Sequence, residues 1–175
     1  MRYWPDHVLR VLGIDPGLEG GCALLHVDLE FTTLVDAIDI PTRGEDAKRR
    51  VDVLELASWI SNMEPDVAFI ERAGVMPKQG IASGFKYGRA VGALEAAVIL
   101  AKIRLEVVEP AVWKRAFGLK GGDKEQARQA LLRVLPSAER LVSRKRDHGR
   151  AEAALIAMWG ADAEHQRKPG KASAA

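Results

Sequence analysis

At 175 residues the chain is long enough for one domain with a substantial core and short for two. Its hydrophobic (47%) and charged (29%) fractions are those of a soluble globular protein, no apolar run is long enough to span a bilayer, and M-R-Y-W-P-D-H lacks a signal peptide's core. A net charge of +2 hides an asymmetry: residues 1–71 hold 6 Lys/Arg and 14 Asp/Glu (−8), whereas residues 72–150 hold 17 and 7 (+10), the pattern of a surface for a polyanion.

V-L-R-V-L-G-I-D-P-G (8–17) is β-branched and apolar and stops at a Pro-Gly turn, so it predicts a strand ending at Asp15. G-G-C-A-L-L-H-V-D (20–28) and F-T-T-L-V-D-A-I-D-I (31–40) are two more strands, and the short connections imply an antiparallel meander. The only cysteine, Cys22, lies among apolar neighbours and is expected to be buried; one cysteine excludes an intramolecular disulfide and suits a reducing cytoplasm. P-T-R-G-E-D-A-K-R-R (41–50) reads as a polar loop. Residues 51–63 have helical spacing, with Val53, Leu56, Ile60 and Met63 on one face, and D-V-A-F-I-E (66–71) is a short buried strand.

Residues 72–82 form a loop, followed by a long helix from about Ser83 to Ile103. Gly84, Gly88 and Gly92 repeat there at four-residue spacing, each costing about 1 kcal/mol relative to Ala. Close packing on the sheet, a subunit contact and nucleic acid all remain open explanations. L-E-V-V-E-P (105–110) is a fifth strand. Helices follow at 110–117 around Trp113, at 123–135 with Asp123 as N-cap, and from 148 to about 166. A single domain over 1–167 with a disordered tail at 168–175 is expected. The order predicts a mixed five-stranded α/β sheet flanked by helices: an antiparallel β1-β2-β3 unit with two parallel additions.

Three acids stand at distinctive places: Asp15 and Glu71 at strand ends, and Glu152 near the start of the last helix, on the same face as His148. Taken singly, Asp15 is an ordinary turn residue, Glu71 a solvated strand end, His148 a surface histidine and Asp147 a helix cap. Carboxylates converging on one point repel unless a cation neutralises them, and hard oxygen donors suit Mg²⁺ or Mn²⁺. Two such ions can activate a water and stabilise the leaving oxygen in phosphodiester hydrolysis.

G-I-D-P-G-L-E-G-G (13–21), I-E-R-A (70–73), Q-G-I-A-S-G-F-K-Y-G (79–88), P-x-x-W-K (Pro110 to Lys114) and D-H-G-R-A-E (147–152) together resemble the RuvC family of Holliday-junction resolvases, within the ribonuclease H-like superfamily. The likeness is greatest to the phage-type and chloroplast branch and spans residues 9–160. It implies that Asp15, Glu71 and Glu152 bind metal and that His148 ligates metal or handles the water. Where bacterial members carry a partner three residues before the last acid, this chain has Gly149, so that role passes to His148 or Asp147. Lys124 matches a lysine near the scissile phosphate.

The resemblance also implies a homodimer acting on four-way junction DNA, with two Mg²⁺ ions per site (Mn²⁺ substituting) and no nucleotide cofactor or membrane. A cytoplasmic, nucleoid-associated protein of bacterial or phage origin would follow. Lys78, Gln79, Lys86, Arg89, Lys114, Lys120, Arg144, Lys145 and Arg146 would contact DNA, and Phe85 and Tyr87 would either stack on bases at the crossover or pack in the core or an interface. The competing readings are a related nuclease acting on branched DNA or structured RNA, and a non-catalytic nucleic-acid-binding module. An actin-like ATP-binding fragment, suggested by G-I-D-P-G, would need a second domain that 175 residues cannot hold.

Overall fold

β1 (Leu9–Asp15), β2 (Gly21–Val27) and β3 (Thr32–Asp39) form the expected antiparallel meander. The turn between β2 and β3 is closed by Asp28, whose Oδ1 accepts from the N–H groups of Glu30 (2.8 Å) and Phe31 (2.7 Å). This computed structural model describes residues 8–72, 74, 80–120 and 124–167, the side chains of Ala47 and Lys124 excepted. The sites expected at Lys78, Gln79 and Asp123, the side chain of Lys124 and the tail lie outside the described residues.

Two further changes follow from local chemistry. The segment read as a polar loop is a small ribbon, β4 (Thr42–Arg43) paired with β5 (Arg50–Val51) across a 3₁₀ turn. It takes Val51 from the next helix, so α1 runs from Val53 to Met63, with the Asp52 carboxylate accepting from the Glu55 N–H. β6 (Val67–Glu71) then pairs parallel with β1, and β7 (Arg104–Val108) parallel with β6. The sheet order is β3-β2-β1-β6-β7, the mixed five-stranded sheet predicted from the sequence.

α2 (Ile81–Leu100) ends three residues before its predicted limit. Lys102 adopts φ 60°, and the Lys102 and Ile103 N–H groups donate to Ile99 O and Val98 O, which closes the helix before β7. α3 (Pro110–Ala116), α4 (Lys124–Val134) and α5 (His148–Gln166) complete the chain. No helix among the described residues is long and apolar enough to cross a membrane.

Alternation along β1 divides the core. Leu12 and Ile14 pack with Leu56, Ile60 and Leu94 of α1 and α2, while Val11 faces Trp113, Leu131 and Leu155 of α3, α4 and α5. Cys22 is fully buried on the first side, and burial, with the Asp15 charge behind it, pushes its thiol far up. The buried position expected for it holds.

α5 lies directly on β1 and β2. A Cβ at Gly13 would stand 2.7 Å from Ala157 N and closer still to Ala153 O. A Cβ at Gly21 would stand 2.6 Å from Arg150 N, and one at Gly149 2.7 Å from the Gly20 carbonyl carbon. This glycine seam fixes where α5 begins.

Candidate active site and nucleic-acid interface

The parallel register pairs Ile14 with Ile70, so Asp15 and Glu71 follow side by side at the ends of neighbouring strands. Adjacent strands lie about 4.8 Å apart, and alternation turns both acids toward the α5 layer, as it does Val11 and Phe69. The seam brings the first turns of α5 to the same sheet edge, with His148 and Glu152 half-buried one turn apart. The topology thus collects all four predicted residues at one end of the fold. Among the described residues, however, no three His, Cys, Asp or Glu side chains are gathered as a ligand cluster.

Glu71 explains part of this. Its Oε2 accepts from Trp113 Nε1 at 2.7 Å and faces Lys114 Nζ at 3.5 Å. The Lys114 ammonium also lies 5.0 Å from the centre of the Trp113 ring. The P-x-x-W-K motif therefore serves the acid: α3 presents a buried donor and a cation to Glu71. Lys114, expected on the DNA surface, is instead half-buried beside a carboxylate.

Tyr87 of α2 also belongs to this edge. Its ring packs at Gly17, where a Cβ would be 3.4 Å from Tyr87 Cε2 and where φ is +124°. Burial, followed by the negative charges of Asp15 and Glu71, pushes its phenol up to about 12, so the hydroxyl keeps its proton at neutral pH. Base stacking, expected from its place in the motif, does not describe this half-buried ring. Phe85 is different: it is 67% exposed, with the Arg89 guanidinium 5.8 Å from its ring centre.

Asp147 corrects the capping reading. It is the residue before α5, but its side chain accepts nothing from that helix. The carboxylate is 2% exposed and accepts from the Arg144 N–H (2.9 Å) and the Arg144 guanidinium (Nη2, 2.7 Å), closing the preceding 3₁₀ turn. Arg144 is thereby held in an internal pair, whereas Lys145 and Arg146 are exposed, as is Lys120.

Burial pushes the Asp147 carboxyl up, but the Arg144 hydrogen bonds and the Arg150 charge outweigh it and hold the group below the usual carboxylate range. With its folded pKa depressed, the group adds stability above its unfolded value, about 3.9, and loses it as pH falls through the folded value. Asp147→Asn is expected to flatten the acid limb of the urea midpoint against pH below about pH 4. An acid limb as steep as in the wild type would count against this assignment.

The glycine stripe of α2 is also resolved as to direction. Cβ atoms at Gly84, Gly88 and Gly92 would meet nothing within 4 Å, so the stripe does not face the sheet. It lies on the outside of the helix that also carries exposed Ile81 and Phe85. Packing on the sheet is thereby removed from the three explanations, since among the described residues nothing meets the stripe.

Sequence reasoning missed the cations of the ribbon. Arg43, Lys48, Arg49 and Arg50, together with Lys86 and Arg89 of α2, line a cleft of about 460 Å³. The signal was present as four basic residues within positions 43–50, but the acidic average of the first 71 residues concealed it.

No family model and no curated protein matches the chain. Among solved structures, the chain is similar to Thermus thermophilus RuvC in complex with a Holliday junction substrate: 22% identity, TM-score 0.64, 87% of this chain and 92% of that one covered. It is also similar to the fowlpox virus Holliday junction resolvase, at 10% identity and TM-score 0.56, covering 89% and 99%. The yeast mitochondrial Holliday junction resolvase Ydc2 matches at 18% identity and TM-score 0.51, covering 91% and 83%. At these identities the shared property is the ribonuclease H-like fold.

Proposed function

We propose that the chain is a metal-dependent endonuclease that resolves four-way DNA junctions by paired, symmetric nicks. The observation that carries this reading is the pair Asp15 and Glu71 at the ends of adjacent parallel strands, under the start of α5. The structures of similar fold supply the substrate class, since one is RuvC with a Holliday junction and two others are Holliday junction resolvases.

Asp15, Glu71, His148 and Glu152 offer a hard, oxygen-rich donor set suited to Mg²⁺ or Mn²⁺, two ions per site, and would hold them. When bound, the metal supplies an activated water and stabilises charge on the leaving oxygen. The residues of the chain do the rest. Trp113 and Lys114 orient Glu71, and the Tyr87 phenol, kept protonated by burial and by the charges of both acids, closes the side toward α2. Lys124 at the head of α4 is assigned to the phosphate, and Lys145, Arg146 and Lys120 to backbone contacts that position DNA without reading its sequence.

A four-way junction requires two nicks related by symmetry, which a two-fold dimer delivers from two sites at fixed separation. The outward glycine stripe of α2, with Ile81 and Phe85 beside it, supports a face on which a second copy approaches closely.

A synthetic four-way junction incubated with Mg²⁺ or Mn²⁺ is expected to yield paired nicks at symmetric positions on opposing strands, while linear duplex and RNA survive. Equal cutting of linear duplex would sink the junction assignment. That no three metal-capable side chains among the described residues form a ligand cluster favours one other reading, a module that binds nucleic acid without cutting it. A wild-type protein that is inert with every divalent ion but still binds junctions would establish that reading instead.

A further inference from the structure

Residues 1–71 carry a net charge of −8, yet four of their six cations fall within positions 43–50. The structure shows what this concentration builds. Arg43 and Arg50 are directly opposite one another in the β4–β5 register. Like charges at directly opposed positions destabilise a ribbon unless a counter-charge sits between them. Among the described residues, no carboxylate pairs with Arg43, Lys48 or Arg50.

The ribbon is nevertheless held firmly against the catalytic edge. Arg49 donates from Nη2 to Leu18 O (2.9 Å) and from Nε to Thr42 Oγ1 (3.1 Å), and it pairs with Glu19. These bonds fasten the ribbon to the turn that follows Asp15. Lys86 and Arg89 of α2 form the opposite wall, and Leu18, Val51 and Ala90 supply an apolar floor. The cleft has cations on both walls, no acid among its described lining residues, and Glu19 beside it paired with Arg49.

We propose that this cleft is a binding site for a phosphodiester backbone, taken by one strand of the nucleic acid as it leaves the acids at Asp15 and Glu71. The placement follows the chain on both walls. Leu18 is three residues beyond Asp15, and Lys86 adjoins Tyr87, which feels both acids. Among the described residues no aromatic ring lines the cleft, so they offer contacts to phosphates and none that stack on bases. Arg43 and Arg50 then share a phosphate charge, which removes their mutual repulsion. The inference rests on the nuclease reading for the identity of the strand, but its test is separable from that reading.

The test uses the full chain and the exposed pair Arg43→Gln/Arg50→Gln, with binding to a four-way junction and to linear duplex measured by fluorescence anisotropy in metal-free buffer. Counter-ion release gives a slope of log K against log salt of about −0.9 per phosphate contacted, so the double variant, which strips the phosphate the two arginines share, is expected to lose about 0.9 of the wild-type slope. An unchanged slope on both DNAs overturns the proposal. A slope reduced on duplex, in a protein that neither prefers nor cuts junctions, upholds the cleft while the junction reading fails. Thermal shift with ATP and with inorganic pyrophosphate separates the other source of the same chemistry. Stabilisation by either, lost in the variant while the DNA slope is unchanged, makes the ligand a free phosphate and overturns the strand assignment. Should the double variant fail to fold, exposed Lys48→Gln alone is read in the same way, with an expected slope loss of about 0.9.

Discussion

Asp15→Asn is expected to hold a four-way junction as tightly as the wild type and to cut it on the order of 10³-fold more slowly, a loss of about 4 kcal/mol of transition-state stabilisation. Asparagine keeps the size and hydrogen-bonding capacity of the side chain at the end of β1, so the turn and the sheet survive. What disappears is one of two negative charges at the ends of adjacent strands, and with it the hard anionic donor. Single-turnover cleavage in Mg²⁺ and gel-shift binding without metal measure the two quantities separately. Cleavage within tenfold of the wild type would remove Asp15 from the chemistry. A second readout is independent of activity. The Asp15 charge is one of the causes that raise the Tyr87 phenol to about 12, so ultraviolet titration of the variant should find that phenol ionising at lower pH.

Gly13→Ala is expected to cost about 3 kcal/mol, at the upper end for a single overpacked methyl group, and to lower Tm by about 6–12 °C for a chain of this size. The added carbon would meet the backbone of α5 at Ala153 and Ala157 rather than a side chain that can rotate aside. Relief requires lifting the helix, and the same movement carries His148 and Glu152 away from the strand ends. Cleavage should therefore fall as well, although Gly13 touches no substrate. Gly88→Ala is the control within one chain, melted at a concentration where the protein is monomeric, since no described residue lies within 4 Å of its added carbon and the loss of a helical glycine is worth up to about 1 kcal/mol in the opposite direction. Calorimetric melting of both variants decides the matter: a Gly13→Ala protein within 1 °C of the wild type would mean that α5 does not bear on β1 as described.

The sheet was legible because its signals are local. β1, β2 and β6 are short apolar runs ending at turn residues, and the meander follows from connections too short to cross over. The ribbon at 42–51 was not legible, because each of its strands is only two residues long and offers no alternation to read. The site divides in the same way. Asp15, Glu71 and the start of α5 could be named from their positions at element ends. The orientation of their side chains could not, because it depends on pairings distant in sequence. Trp113 reaches Glu71 from 42 residues away. Arg144 shows the limit of charge counting: the positive run 144–146 looks uniform in sequence, but its first member is tied to buried Asp147.

The glycine seam also imposes an order of events on the making of the protein. β1 leaves the ribosome well before the helix that covers Gly13, which includes Ala153 and Ala157, some 140 residues later. At roughly 5–20 residues per second, the face of β1 waits several seconds for its cover. During that interval Asp15 and Glu71 can already be side by side, but His148 and Glu152 have not been synthesised. The nascent chain is thus without the α5 part of this edge until that helix has been made, and the uncovered strand is the part that a holding chaperone would need to shield.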